Sequence, residues 1–339
     1  MTHTIKDVSK LAGVSTATVS RTFSNPGTVS ETTREKVFEA ARMLNYQPNA
    51  IARSMKLQQT EKIAFIICKE SGSILDEFYA GICNGIMQEI NETDYQLLVS
   101  TERDWTFGKR SQVDGVILGS NASLQLIRDC IRQGVRIVLV NNEIEGFHYP
   151  TVISDERMAI DLAVSHLIAR GHNKIAMLAG RFSPYICEQR LSAFKEIMAD
   201  RKLPVPAGYI MITDPDIKSS TEIAMAMLSQ PDPPTAIMAA NDEIATGAYK
   251  AAIRMGLRIP QDIAIVGIDD SRICRALEPE LTSVKIDCDK MGRAAARMMI
   301  SILGDAGKNK GAAGRAENGA GETAGRLVLQ PELNIRNST

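Results

Sequence analysis

Two sets of residues in this chain have types and spacings that can do chemistry. The first is Thr16, Ala17, Ser20 and Arg21, which share one face of a short helical segment. An arginine there can donate a bidentate pair to guanine, a threonine hydroxyl can pair with donors or acceptors, and an alanine is small enough to touch a thymine methyl. The second set is Asn141, Asp155, Arg190, Asn241, Asp242, Asp269 and Asp270. Each stands where an apolar run ends or where the helix after it begins. Carboxylate, amide and guanidinium groups offer paired donors or acceptors and so bracket vicinal hydroxyls. Phe78, Tyr79 and Phe147 supply rings that could cover an apolar ligand face. Taken singly, each polar residue reads as a turn or cap; Asp242, for one, is expected to cap the helix Glu243–Met255.

The first set needs a small, rigid support. Thr4 can cap a first helix, with Asp7 completing a capping box. Ile5, Val8, Leu11 and Ala12 give that helix an apolar face, and Gly13 permits a tight turn. Ser15 can cap a second helix from Thr16 to about Ser24, whose Val19 and Phe23 face inward. Asn25-Pro26-Gly27 breaks the chain, and Ser30 caps a third helix with Val37, Ala40, Ala41 and Leu44 on its buried stripe. Helix, glycine turn and helix with a small, polar, basic face is helix-turn-helix geometry, in which the second helix enters the DNA major groove. After Pro48, Asn49 can cap a further helix, Ala50 to Met55, which is too short to order without a partner. Leu57-Gln58-Gln59-Thr60 is the exit linker.

The second set needs a sheet. From Lys62 onward, apolar runs (KIAFII, QLLVS, DGVIL, RIVLV, KIAMLAG, YIMI, TAIMAA, IAIVG) alternate with amphipathic helices at 80–92, 124–133, 157–170, 188–201, 220–229 and 242–255. Runs without polar alternation read as parallel strands buried on both faces, so the body is expected to be a doubly wound α/β fold with ligands at the carboxyl ends of its strands. Between QLLVS and VDGVIL only the twelve residues Thr101–Gln112 remain, barely a parallel crossover; Trp105 and Phe107 are expected to pack on the sheet there. Gly304 to Arg326 is Gly/Ala-rich and polar and reads as a flexible surface loop, followed by a last strand, LVLQPELNI.

Composition narrows the function. Residues 1–60 carry eight Lys/Arg against four acidic residues, a net +4, which leaves −5 for the rest of a chain of net charge −1. A basic head on an acidic body fits a phosphate-binding module attached to something that is not one. There is no GxGxxG after the first strand, no GxxxxGK[ST] and no GxSxG, and the four histidines share no metal-type spacing with cysteine or aspartate. The expectation is therefore a binding protein rather than an enzyme, with no cofactor and no metal. Six scattered cysteines without CxxC spacing read as small hydrophobes. No run of eighteen apolar residues exists, and the opening MTHTIKDVSK has no apolar h-region, so a cytoplasmic protein without a membrane span is expected.

The segments KDVSKLAGVSTATVSR, VSETTREKVFEAARMLNYQPNAIARS, PTAIMAANDEIATGAYKAA and IAIVGIDDS resemble the LacI/GalR family of bacterial transcription regulators, and the resemblance covers nearly the whole chain. It implies a three-helix DNA-binding domain (1–48), a hinge helix and linker (49–60), and a body (61–339) resembling a periplasmic sugar-binding protein. The body would have two doubly wound subdomains, 61–158 with 289–303 and 159–288 with 327–339, leaving 304–326 as the loop. Thr4, Ser15, Thr16, Ala17, Thr18, Ser20 and Arg21 are expected at the DNA, with Asn49 in the hinge. Met55 stands where a leucine of similar regulators wedges into the minor groove. Effector contacts carried over by motif fall on Asn141, Arg190, Asn241 and Asp269, with Tyr79, beside Phe78, from the first subdomain. Position 141 is commonly acidic in the family, so Asn141 removes a charge. The implied partners are a pseudo-palindromic operator, a sugar or sugar phosphate, and a second copy of the chain, in a dimer or tetramer. The rival readings are a solute-binding transport protein that shares only the body, and a co-repressor-dependent or activating member of the family.

Overall fold

The structure is a computed structural model that describes residues 3–24, 26–46, 60–68, 76–106, 113–144, 146, 148–308 and 325–339. The chain divides into two compact units, Met1–Glu61 and Lys62–Thr339.

In the N-terminal unit, α1 (Ile5–Ala12), α2 (Thr16–Ser24) and α3 (Glu31–Met43) follow the expected pattern closely. The Thr4 backbone N–H and hydroxyl both donate to Asp7 Oδ2, at 2.8 and 2.9 Å. Gly13 ends α1 at φ +66°, a conformation that costs glycine nothing. Ser15 Oγ accepts the Thr18 N–H at 3.1 Å and caps α2. Val8, Val19, Val37, Ala40 and Ala41 form the core, and Phe23 packs edge-on to Phe38 with centroids 5.5 Å apart. Two expectations fail. Leu11 is 52 % exposed, because the three-helix core closes on Val8 and only partly buried Ile5 and Ala12 flank it. Ser30 occupies the cap position of α3, but its hydroxyl donates to Thr33 Oγ1 at 2.9 Å instead of accepting a backbone N–H.

The second unit holds two six-stranded sheets. The first contains β1 (Lys62–Ile67), β2 (Gln96–Thr101), β3 (Gly115–Leu118), β4 (Arg136–Val140), β5 (Thr151–Ser154) and β11 (Arg326–Leu329), in the order β11-β5-β4-β3-β1-β2 and all parallel. The second contains β6 (Ile175–Gly180), β7 (Ile210–Thr213), β8 (Ala236–Ala239), β9 (Ala264–Asp269), β10 (Thr282–Lys285) and β12 (Glu332–Asn334), ordered β12-β10-β9-β8-β6-β7, with only β12 antiparallel. The helices are α4 (Glu77–Ile90), α5 (Leu124–Arg132), α6 (Glu156–Ala169), α7 (Pro184–Asp200), α8 (Ile217–Leu228), α9 (Asp242–Arg254) and α10 (Cys288–Lys308).

The sequence reading is corrected at three places. LVLQPELNI is two strands, because Gln330-Pro331 divides it: β11 completes the edge of the first sheet and β12 that of the second. The segment 327–339 thus does not belong to one subdomain. Gly304–Lys308, expected in the flexible loop, is the last turn of α10; residues 309–324 lie outside the described residues. The chain passes to the second half after Ser154 rather than near 158, since α6 packs on α7, β8, β9, β10 and β12. It returns between β10 and α10 and crosses once more between β11 and β12. At the short crossover, Trp105 is partly buried against the apolar cluster on one face of the first sheet, as expected, while Phe107 lies outside the described residues.

Helix α4, which begins at the cleft, is clamped to α10. Cβ atoms added at Gly85 and Gly292 would press into the Asp289 and Ile82 carbonyls of the facing helix. Arg297 Nε donates to Glu89 Oε2 at 2.9 Å, and Asn84 Nδ2 donates to Asp289 Oδ1 at 2.7 Å. Backbone cannot yield as a flexible side chain does. Gly292→Ala is therefore expected to destabilise the body by about 1–3 kcal/mol or more, measured as a lower urea midpoint. An unchanged midpoint would mean that the two helices are free to separate.

Candidate functional site

On the N-terminal unit, Thr16, Ala17 and Arg21 are exposed on α2 opposite Val19, while Thr18 and Ser20 are half-buried. Thr18 and Ser15 bond each other through their hydroxyls at 2.9 Å, and the Thr22 hydroxyl donates back to the Thr18 carbonyl at 2.9 Å. Those hydroxyls hold the helix start. Thr4 and Ser15 are exposed at the N-termini of α1 and α2. The protruding set is thus the small polar and basic one that suits a major groove. Asn49 and Met55 lie outside the described residues.

In the body, Asn141, Arg190, Asn241 and Asp269 divide into two groups. Arg190, on α7, is 2 % exposed. Its Nε donates to Glu156 Oε2 at 2.5 Å, its Nη1 donates to the Ala240 carbonyl, and its Nη2 stands 3.8 Å from Asp269 Oδ1. Its guanidinium lies 5.7 Å from the Phe182 ring centroid. Burial works against the charge of Arg190, but the Glu156 and Asp269 carboxylates outweigh it and raise the group above its ordinary value. Asp269 ends β9 at φ +110°, a strained conformation for an aspartate. Burial pushes its carboxyl well up, against the pull of Arg190. Asn241 caps α9, its Oδ1 accepting the Ile244 N–H at 2.9 Å. The expected cap, Asp242, is instead the first residue of α9 and is turned inward, because the capping position is already filled.

The other group comes from the first sheet. Asn141, at φ +53° after β4, is 5 % exposed, and its Nδ2 donates to Ser120 Oγ at 3.5 Å. Ser120 is also the side-chain partner of the Tyr79 phenol, which burial pushes up to about 12. Gly119 leaves room for that ring: an added Cβ would come within 2.9 Å of Tyr79 Cε1. Tyr79 is thus part of the wall, with Phe78 half-buried and edge-on to it at 5.5 Å, rather than a loose cover. Phe147 lies outside the described residues.

Hydrogen bonds join the segments that follow the two sheets. Asn121 Nδ2 donates to the Phe182 carbonyl at 2.7 Å, Tyr185 Oη to Glu143 Oε2 at 2.9 Å, and the Arg272 N–H to Glu77 Oε2 at 3.0 Å. Among the described residues, Asn121 Oδ1, Asn141 Oδ1, Glu156 Oε1 and the Ser154 hydroxyl are buried without a hydrogen-bond partner. Such atoms are costly unless something supplies donors. Sequence reasoning missed Glu156, Ser120, Asn121 and Phe182. Glu156 had a readable signal: a buried arginine demands a carboxylate, and two acids, Asp155 and Glu156, follow β5. Asp155 went to the cap of α6, accepting the Met158 N–H at 2.9 Å.

Behind the cleft, the Asp242 carboxylate is 2 % exposed and accepts from the Ser271 N–H (2.7 Å), the Ser271 hydroxyl (2.9 Å) and the Ser283 hydroxyl (2.6 Å). Burial raises its pKa despite these donors. Above the ordinary aspartate value of about 4, the native state therefore holds a proton that the unfolded chain has lost. This group's contribution to stability falls as pH rises through that window and up to the raised native value. Asp242→Asn should flatten the decline, since the Ser283 hydroxyl can turn to accept from the amide. Urea midpoints from pH 4 to 7 for both proteins test this, and parallel profiles would contradict it.

Among the described residues, no helix is long and apolar enough to cross a membrane, and no group of three or more His, Cys, Asp or Glu could hold a metal. Residues 4–49 match the family described as bacterial regulatory proteins, lacI family, and residues 164–339 match a periplasmic binding protein-like domain. The ribose operon repressor of Escherichia coli strain K12 is 32 % identical over 307 residues, covering 88 % of this chain and 92 % of its own. The Lac repressor dimer bound to operator and the anti-inducer ONPF superposes with a TM-score of 0.79 at 26 % identity, covering 100 % of this chain and 99 % of that one. The transcriptional regulator CelR in complex with cellobiose gives a TM-score of 0.71 at 27 % identity, covering 99 % of this chain and 100 % of that one.

Proposed function

The chain belongs to the lacI family of bacterial regulatory proteins, and on that premise we propose that it is a cytoplasmic repressor of sugar-utilisation genes. It binds a pseudo-palindromic operator as a homodimer and releases it when a small hydroxylated effector fills the cleft. The observation that carries this reading is the pairing, in one chain, of an exposed Thr16–Ala17–Arg21 face with a separate body. In that body, hydrogen bonds join the segments after the two sheets, and Asn121, Asn141 and Glu156 carry buried acceptors without a partner. Thr16, Ala17 and Arg21 read bases; Thr4, Ser15, Thr18 and Ser20 set the helix on the backbone; Asn49 and Met55 belong to the hinge. Asn141, Arg190, Asn241 and Asp269 form the effector cleft with Tyr79 and Phe78.

Operator mapping around the gene, followed by titration of sugars into the operator complex, tests the reading. An effector that weakens operator binding must itself bind more weakly to the operator complex, by the same factor. Equal effector affinity with and without operator would remove the allosteric part. An effector that tightens the complex would make the protein a co-repressor-dependent regulator instead.

Closure rests partly on Tyr185 and its bond to Glu143 across the cleft. Tyr185→Phe is expected to cost the closed form about 0.5–1.5 kcal/mol, seen as weaker effector binding with unchanged operator affinity. Effector affinity equal to that of the unaltered protein would show that this bond does not contribute to closure.

A further inference from the structure

The bond that joins α7 of the second half to the segment after β4 in the first is not a simple pair. Tyr185 Oη donates to Glu143 Oε2 at 2.9 Å, while Arg326 Nε donates to the other oxygen, Oε1. Arg326 opens β11, an edge strand that pairs with β5 in the register Arg326↔Thr151 and leads into the passage between Leu329 and Glu332. Both oxygens of the carboxylate are therefore engaged, one by a strand of its own half and one by a helix of the other half. Burial alone would raise the Glu143 carboxyl, but its bonds to Arg326 and Tyr185 hold it below the ordinary carboxylate range. The Tyr185 phenol is pushed up, by burial first and then by Glu143, while Arg326 lies near enough to pull it partly back. At neutral pH the acceptor is thus charged and the donor keeps its proton.

We propose that Arg326 is a positioning residue for closure of the body: it holds Glu143 with Oε2 turned to Tyr185, so that the halves latch only while β11 is seated on β5. The inference rests on the closure invoked above and adds to it the strand that governs the latch. When the halves part, Tyr185 leaves with α7, but Glu143 and Arg326 stay together because both belong to the first half. The carboxylate then waits in the conformation that Tyr185 needs, and closure does not have to freeze it. Without Arg326, a glutamate side chain that is 34 % exposed would turn freely, and each closure would have to order its rotamers again. A charge-assisted bond also fixes geometry more strictly than a neutral one. A purely structural role, pinning the edge strand, fits less well: the Arg326 side chain is 55 % exposed, and ion pairs so open to water add little to stability.

Hydrogen exchange of the full-length protein tests this at a second contact between the halves, the Arg272 N–H that donates to Glu77. Neither Arg326 nor Tyr185 makes that contact, so faster exchange there reports opening and not the loss of a local bond. Arg326→Gln is expected to speed exchange in a peptide containing Arg272 about three- to tenfold, the size of one hydrogen bond, with the urea midpoint almost unchanged. Tyr185→Phe should do the same, and the double variant should add little to either, because both changes break one latch. Arg326→Lys should recover part of the protection. If Tyr185→Phe speeds exchange and Arg326→Gln does not, or if the two effects add in full, Glu143 needs no positioning and the inference fails. It fails too if Arg326→Gln lowers the urea midpoint and speeds exchange throughout β5 and β11, as a purely structural role predicts. If neither change alters exchange at Arg272, the latch does not hold the halves and the inference falls with it. The sugar-effector reading stands or falls separately, by the operator titration.

Discussion

Arg190→Ala is expected to destabilise the body by about 3–5 kcal/mol, because it strands a buried carboxylate rather than merely removing a contact. Glu156 is 5 % exposed and would lose its 2.5 Å partner. The Ala240 carbonyl would lose its donor, and Asp269 would lose the guanidinium that opposes its burial. A loss of that size is a large part of the roughly 5–15 kcal/mol that holds a typical domain folded. Replacing both partners with apolar groups, Arg190→Met with Glu156→Leu, should cost less than the two single changes together, since no carboxylate is stranded at position 156, although Asp269 still loses its cation. Denaturant midpoints of Arg190→Ala, of the two single apolar changes and of their combination decide the matter. A single Arg190→Ala change within about 0.5 kcal/mol of the unaltered protein would show that the pair is solvated and that the cleft floor is not closed. For effector response alone, Asp269→Asn is the gentler probe.

The second large effect is on DNA. Arg21 is exposed on α2, so Arg21→Ala should change folding stability by no more than about 0.5 kcal/mol. It should nevertheless weaken operator binding by about 1–3 kcal/mol if the side chain makes a bidentate pair with guanine. Specificity separates this from a lost phosphate contact. A phosphate contact weakens binding to all sequences alike, whereas loss of a base contact relaxes the preference at one position. Fluorescence anisotropy on the operator and on single-base variants of it, at one salt concentration, reads both. Unchanged affinity and unchanged base preference would place Arg21 away from the groove.

The fold was legible wherever local chemistry and periodicity agreed. Thr4 and Asp7, Gly13, and the Val8–Val19–Val37 core could be read directly, because each rests on a spacing within one helix or between neighbours. Continuous apolar runs marked eight strands of the body. β5, β10 and the division of LVLQPELNI into β11 and β12 were not legible: strands of three or four residues owe their identity to the neighbours they pair with, and β11 and β12 pair with strands far away in sequence. The cleft was half readable. Asn141, Asn241 and Asp269 could be picked out, together with Asp155, Asp242 and Asp270, by their place at strand ends and Arg190 by its place in the following helix, and the family resemblance narrowed that set to four. Their use could not, because a strand-end polar group becomes a cap or a site residue according to which neighbour takes the capping position first. Asn241 took it, and Asp242 became a buried acceptor; Asp155 took it, and Glu156 became the partner of Arg190.

The three passages of the chain between the halves of the body, after Ser154, between Lys285 and Cys288, and between Leu329 and Glu332, have a mechanical consequence. A joint made of one strap can swing and twist in any direction. Three straps side by side act like the spine of a book: they let the covers open and shut but resist shear and torsion. The free energy an effector releases is then channelled into one angular coordinate. Cutting any one strap, for instance by proteolysis at Gln330-Pro331, would leave the effector groups in place while letting the covers slip.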